Sequence, residues 1–159
     1  LNYTRTFTEV TMLIHDMPRP EVEEMLRHVG IGYLACSVED KPYVVPLRFI
    51  HSNGYLYSLT SEGKKMELMR ANRNVCVSFS DVHGSNNWRC LVISGHFEEI
   101  PKSLSKDSLY YHAHELLAAG ANWWEPAYVK TILRGEERPL EPLYFRISVL
   151  ETTGHQAQP

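Results

Sequence analysis

The sequence predicts a mainly β chain with peripheral helices, folded as a small antiparallel barrel of six strands. Three observations predict it: short apolar runs rich in β-branched and aromatic residues, tight turn signals between them, and helical stretches inserted between strands that are too short and too tightly linked for a parallel α/β sheet. At 159 residues, 43% of them hydrophobic and 22% charged, the chain can bury one sizeable core. One domain is expected over residues 1–159, with its core from about 12 to 157.

Pro18 to Val29 opens with prolines and acids, then places Val22, Met25, Leu26 and Val29 at helical spacing, so a short amphipathic helix is expected there, ended by Gly30. Gly32 to Val38 and Tyr43 to Ile50 read as strands joined by a hairpin turn at Glu39-Asp40-Lys41-Pro42. Pro46 cannot donate to a ladder, so the second strand should be an edge or a bulge there, or leave its backbone free for something else. Asn53-Gly54 marks the next hairpin and leads to a strand at Tyr55 to Leu59. Gly63 to Asn72 switches to helix. Val75 to Ser80 and Cys90 to Ile100 are strands joined by a polar loop over residues 81–87, the second expected to bulge at Gly95. Leu104 to Ala119 reads as a helix and Pro126 to Leu133 as another; Arg134 to Pro142 reads as a loop, and Pro142 to Gly154 closes the chain as a strand.

The net charge of −3 and a pI near 6.2 give no reason to expect a nucleic-acid partner, so any anion site must be built locally. No apolar run approaches the roughly 20 residues of a membrane helix. Cys36, Cys76 and Cys90 sit in apolar stretches without CxxC spacing, which reads as buried free thiols in a reducing compartment. The first twelve residues lack the basic-then-apolar pattern of a signal peptide, so a cytoplasmic location is expected.

Ser58 to Lys65 (Ser-Leu-Thr-Ser-Glu-Gly-Lys-Lys) carries the main chemical question. A phosphate monoester needs cations, hydroxyls and free backbone donors. Ser58, Thr60, Ser61, Lys64 and Lys65 offer the first two, and the start of the Gly63 helix offers the third. Read alone, the same residues make an ordinary polar helix start with Ser61 as its cap. Beside Pro46, backbone groups of Val45 and Leu47 could meet a planar ligand with an N–H and carbonyl pattern. Trp88 and the pair Trp123-Trp124 could stack on such a ring or serve as core and interface residues. His112 and His114, two apart on a helix, point about 200° apart, so no metal site is expected. His83 and His96 read as solvated or core histidines that could approach a cofactor, and no nucleophile–base pair stands out.

Three segments in order, Gly32 to Phe79, Trp88 to Ile100 and Pro142 to Ala157, resemble the FMN-binding split-barrel superfamily, in its branch of pyridoxamine 5'-phosphate oxidase-like and 5-nitroimidazole-resistance (Nim)-like flavoproteins. The resemblance covers about Met12 to Ala157. It implies a six-stranded split barrel that forms a homodimer, with FMN at the subunit interface. It implies that the strand from Tyr43 through Val44, Val45, Pro46 and Leu47 lies along the flavin ring, that Ser58, Lys64 and Lys65 hold the phosphate and ribityl chain, and that Arg89 and Cys90 lie where relatives place a residue facing the flavin. The activity it implies is an FMN-dependent oxidoreductase passing electrons or hydride from a donor such as NAD(P)H to a small acceptor. The alternative is a non-catalytic flavin- or haem-binding carrier or sensor. Ser58-Leu59 stands where Nim-like relatives carry His-Gly or His-Ser. Cys90 falls where pyridoxamine phosphate oxidases carry glutamine, and Lys64-Lys65 replaces their Arg-Lys, so oxidation of pyridoxamine phosphate itself is not expected.

Overall fold

The fold is described from a computed structural model, which describes residues 12–119, 130–133, 136–139 and 141–157, side chains of 130–139 apart. Ile14–Asp16 (β1) precedes a helix, Arg19–Arg27 (α1), which starts after Pro18 with Pro20 in its first turn and buries Met25 and Leu26. Ile31–Val38 (β2) turns through Glu39 and Asp40, both at positive φ, into Lys41–Arg48 (β3). After Phe49 the chain pairs again as Ile50–Ser52 (β4), turns at Asn53-Gly54, and returns as Tyr55–Thr60 (β5). Lys64–Ala71 (α2) follows. Asn74–Gly84 (β6) and Asn87–Ile100 (β7) form a long hairpin, then Leu109–Ala118 (α3) starts on the side-chain cap of Ser108, whose oxygen accepts the Tyr111 N–H. Lys130–Leu133 (β8) pairs with Glu136–Pro139 (β9), and Leu143–Ala157 (β10) ends the described chain.

The main sheet is antiparallel throughout, with the order β3-β2-β6-β7-β10-β5-β4 and β1 added alongside β10. Its two end strands, β3 and β4, are consecutive in the chain and separated by Phe49 alone, so the sheet must curl on itself, and Phe49 is pinned by its N–H to Gly30 O at 2.8 Å. The mainly β, antiparallel class is as expected from the sequence; the strand count is not, since the main sheet has eight strands rather than six. Its interior holds Leu34, Phe49, Leu56, Val77, Leu91, Ile93, Phe145 and Ile147, with the rings of Phe79 and Phe145 meeting Phe49 edge-on. A second apolar cluster, Tyr57, Ile100, Ala113, Leu117 and Tyr144, lies under α3 on the other side of β5 and β10.

Four local expectations are corrected. Residues 81–87 are not an open loop: β6 runs on to Gly84 and β7 starts at Asn87, leaving only a two-residue turn at 85–86, with Val82 paired to Trp88 and Arg89 reaching Asp81 at 2.9 Å. Gly95 is not the bulge; the extra residue is Leu150 on the facing strand, between Val149 and Glu151, and Gly95 is needed because a Cβ there would strike Ser148 O. Residues 130–133 form a strand instead of the end of a helix, and 136–139 a strand instead of a loop, their backbones satisfying one another as a hairpin. β1 had no periodic signal at three residues; it exists because β10 offers it an edge, with Ile14 opposite Ala157. Trp123 and Trp124 lie outside the described residues.

Candidate functional site

β3 is an edge strand, one of the readings Pro46 allowed: it pairs with β2 along its length, Pro46 facing Tyr33, and has no strand partner on its other side among the described residues. Its alternation divides the four expected positions. Val45 and Leu47 turn inward to the main core, while Val44, 56% exposed, and Pro46 face outward. What Val45 and Leu47 can offer a ligand is therefore backbone.

The helix after β5 approaches this strand. Gly63 enters α2 at φ 148°, a conformation that disfavours any side chain, and α2 begins without a side-chain cap, so Ser61 is not the N-cap the local pattern allowed. The first N–H groups of α2 thus lack side-chain partners. Lys64 stands in the first turn with its ammonium 4.6 Å above the Tyr43 ring on β3. Lys65 is half-buried, and burial pushes its amine below the usual lysine range. Neither lysine meets a carboxylate among the described residues. The far end of α2 is fixed to the barrel: Asn72 Nδ2 donates to Ser37 O at 2.9 Å, and Asn72 Oδ1 accepts the Asn74 N–H at 3.1 Å.

Ser58 and Thr60 are placed differently from the lysines. Both are 0% exposed and face the barrel interior; Ser58 Oγ donates to Arg48 O at 2.6 Å, and Thr60 Oγ1 to Ser61 O at 3.4 Å. Ser58 ties β5 to the end of β3, across the seam where the curled sheet meets itself. Ser61, half-buried, remains in the turn before α2.

Trp88, Arg89 and Cys90 are half-buried at the start of β7 and belong to a different neighbourhood in the chain. Arg89 bridges Asp81 at 2.9 Å and Glu24 of α1 at 3.2 Å, and Asp81 is held below the usual carboxylate range, chiefly by that guanidinium hydrogen bond. These groups line a cleft of about 530 Å³ with Met25, Val29 and Phe79 in its wall. Cys90 faces outward, opposite Ser80 and His155. It shares the outer sheet face with Val44 and Pro46, the strands between contributing Tyr33, Ser78 and Val92.

The histidines do not converge on β3 or α2. His112 packs edge-on against Tyr57, while His114 Nδ1 lies 2.7 Å from the Tyr144 hydroxyl, both on the α3 side. His83 pairs with Asp81, and His96 Nε2 with Asn74 Oδ1. Among the described residues no group of three metal-ligating side chains gathers, and no helix is long and apolar enough to cross a membrane. Three contacts escaped sequence reasoning: Tyr43 as the partner of Lys64, Asn72 as a tie to β2, and Arg70, whose fork reaches Glu62 and Glu99. Tyr43 and Lys64 lie too far apart in the chain for their pairing to carry a local signal.

Residues 18–156 match the family described as pyridoxamine 5'-phosphate oxidase. A protein of Rhizobium meliloti, uncharacterised in role, is 29% identical over 146 residues, 92% of this chain and 97% of that protein. Among solved structures, an FAD-binding protein of Mesorhizobium loti is 30% identical, with a TM-score of 0.74 over 93% of this chain and 99% of its own. A candidate 5-nitroimidazole antibiotic resistance protein of Bacteroides thetaiotaomicron, 22% identical, has a TM-score of 0.64 over 91% of this chain and 88% of its own, and at that identity shows the fold alone.

Proposed function

The chain belongs to the pyridoxamine 5'-phosphate oxidase family, and from that premise we propose that it is a flavoprotein holding FMN between the open edge of β3 and the start of α2. One observation carries the reading: two lysines that meet no carboxylate among the described residues stand at an uncapped helix start, and the first of them, Lys64, lies over Tyr43 on the edge strand β3. That donor set fits a phosphate monoester, and the β3 backbone fits the polar rim of a flavin ring. In this reading Lys64, Lys65, Ser61 and the first N–H groups of α2 bind the phosphate. Val45 and Leu47 contribute backbone, and Val44 and Pro46 present apolar contact. Ser58 and Thr60 shape the seam behind the seat through their carbonyl bonds. The chain is also similar to the FAD-binding relative; the ribityl 5'-phosphate is a terminal monoester in FMN but part of a pyrophosphate in FAD, and the donor set here fits the monoester.

Bound flavin supplies hydride and single-electron redox chemistry. The residues around β3 and α2 are suited to binding and orienting rather than to proton transfer: Cys36, behind Lys64, is pushed up by burial and gives its weak hydrogen bond to Tyr43 O, at 3.8 Å. An oxidoreductase in which NAD(P)H reduces the flavin for a small acceptor is therefore the activity proposed. The purified protein is expected to show a flavin absorption band, with FMN released on denaturation and identified by mass, and anaerobic NADH or NADPH is expected to bleach it. A Soret band, or a colourless protein that refuses both FMN and FAD, would overturn the cofactor; a flavin that neither nucleotide reduces would overturn the donor.

The outer face of β3, β2, β6 and β7 supports a homodimer. Val44, Tyr33 at 52% exposure, Ala35, Cys76, Ser78 and Val92, all uncharged, lie there beside the proposed site. A second copy is the proposed cover, in keeping with an interfacial flavin. Sedimentation at micromolar concentration is expected to give twice the 18.3 kDa chain mass, and Tyr33→Glu with Val44→Glu a monomer. A wild-type chain that sediments as a monomer would exclude this arrangement.

A further inference from the structure

We propose that Arg70 is a positioning residue for the phosphate seat, one that draws the Glu62 carboxylate away so that Lys64 and Lys65 stay available to an anion. The inference rests on the FMN reading above and deepens it. Glu62 occupies the turn that leads into α2, two residues before Lys64 and three before Lys65. Left to itself, its carboxylate would compete for those ammonium groups and repel an incoming phosphate dianion.

The geometry shows where that carboxylate goes instead. Arg70 Nη1 donates to Glu62 Oε2 at 2.9 Å and Arg70 Nη2 to Glu62 Oε1 at 2.7 Å. The same guanidinium donates through Nε and Nη2 to the two oxygens of Glu99 on β7, each at 2.7 Å. Two forked contacts thus hold one planar cation between the turn and the sheet, an arrangement that lysine at position 70 could not reproduce. Glu99 fixes the guanidinium to the long strand, and Arg70 in turn fixes Glu62. Consistently, Glu62 is held below the usual carboxylate range by the Arg70 hydrogen bond.

The test compares dissociation constants for FMN and for riboflavin, which lacks the phosphate, in wild type, Arg70→Met, Glu62→Gln, the double variant Arg70→Met/Glu62→Gln, and Lys64→Ala/Lys65→Ala at low salt. Arg70→Met is expected to weaken FMN about fivefold, the size of a like-charge interaction across several ångströms in a solvent-like dielectric, and to leave riboflavin unchanged. Removing the Glu62 charge in that background is expected to restore FMN affinity. Equal loss for both flavins, no loss, or no rescue in the double variant would overturn the proposal. Should Arg70→Met fail to fold, Glu62→Gln alone decides: FMN affinity at or above wild type upholds the role, and a fall refutes it. An unchanged FMN affinity in Lys64→Ala/Lys65→Ala would remove the phosphate seat itself and this inference with it. A loss there without rescue in the double variant would remove only the role of Arg70.

Discussion

Replacing Lys64 and Lys65 together by alanine is expected to lower affinity for FMN by about a hundredfold while leaving riboflavin affinity within a factor of two. A charge-assisted hydrogen bond is worth about 1.5–3 kcal/mol, and each tenfold in affinity is about 1.4 kcal/mol, so two lysines at the low end of that range give two decades. The low end is appropriate because Lys64 is exposed and solvent screens it. Lys65 should carry the larger share, since it is half-buried and meets no carboxylate among the described residues. Burial lowers its pKa, so it loses its proton at a lower pH than a surface lysine; FMN affinity should therefore decline as pH rises through that lowered value, with proton uptake on binding over the same range. Fluorescence titration of both flavins across pH measures all of this. Equal affinities in wild type and the double variant would reject the phosphate seat.

Phe145→Ala is expected to cost about 3–5 kcal/mol of stability, a large part of the roughly 5–15 kcal/mol of a typical domain. Phe145 is 0% exposed and its ring lies 6.4 Å from Phe49 and 5.5 Å from Phe97. Phe49 is the single residue between β3 and β4, so the cavity would open where the sheet curls, next to the edge that the flavin reading uses. Urea denaturation should show a lower midpoint with an unchanged slope, and Phe145→Leu, which refills much of the volume, a smaller loss. A loss under about 1 kcal/mol for Phe145→Ala would mean that the aromatic cluster does not hold the closure.

Much of the fold was legible because its signals are local. Asn53-Gly54 sets a hairpin through backbone conformations other residues avoid, Pro46 marks an edge because it has no N–H, and the helices at Arg19 and Lys64 follow apolar spacing. The errors arose where pairing overrode local polarity. Residues 81–87 look like a loop, yet with the Asp81–Arg89 contact and the Val82–Trp88 pairing all but the turn at 85–86 are strand, and Gly95 resembles a bulge while the bulge sits opposite it.

The candidate site divides along the same line. Sequence alone marked the lysines, the turn before α2 and the edge strand, because charge, glycine and proline carry their chemistry wherever the chain goes. Only the tertiary structure decided that Ser58 and Thr60 face inward, that Tyr43 meets Lys64, and that Arg70 takes up Glu62. Those facts depend on strand register and on a sheet that curls until its ends meet, and such long-range geometry leaves no trace in the spacing of neighbouring residues.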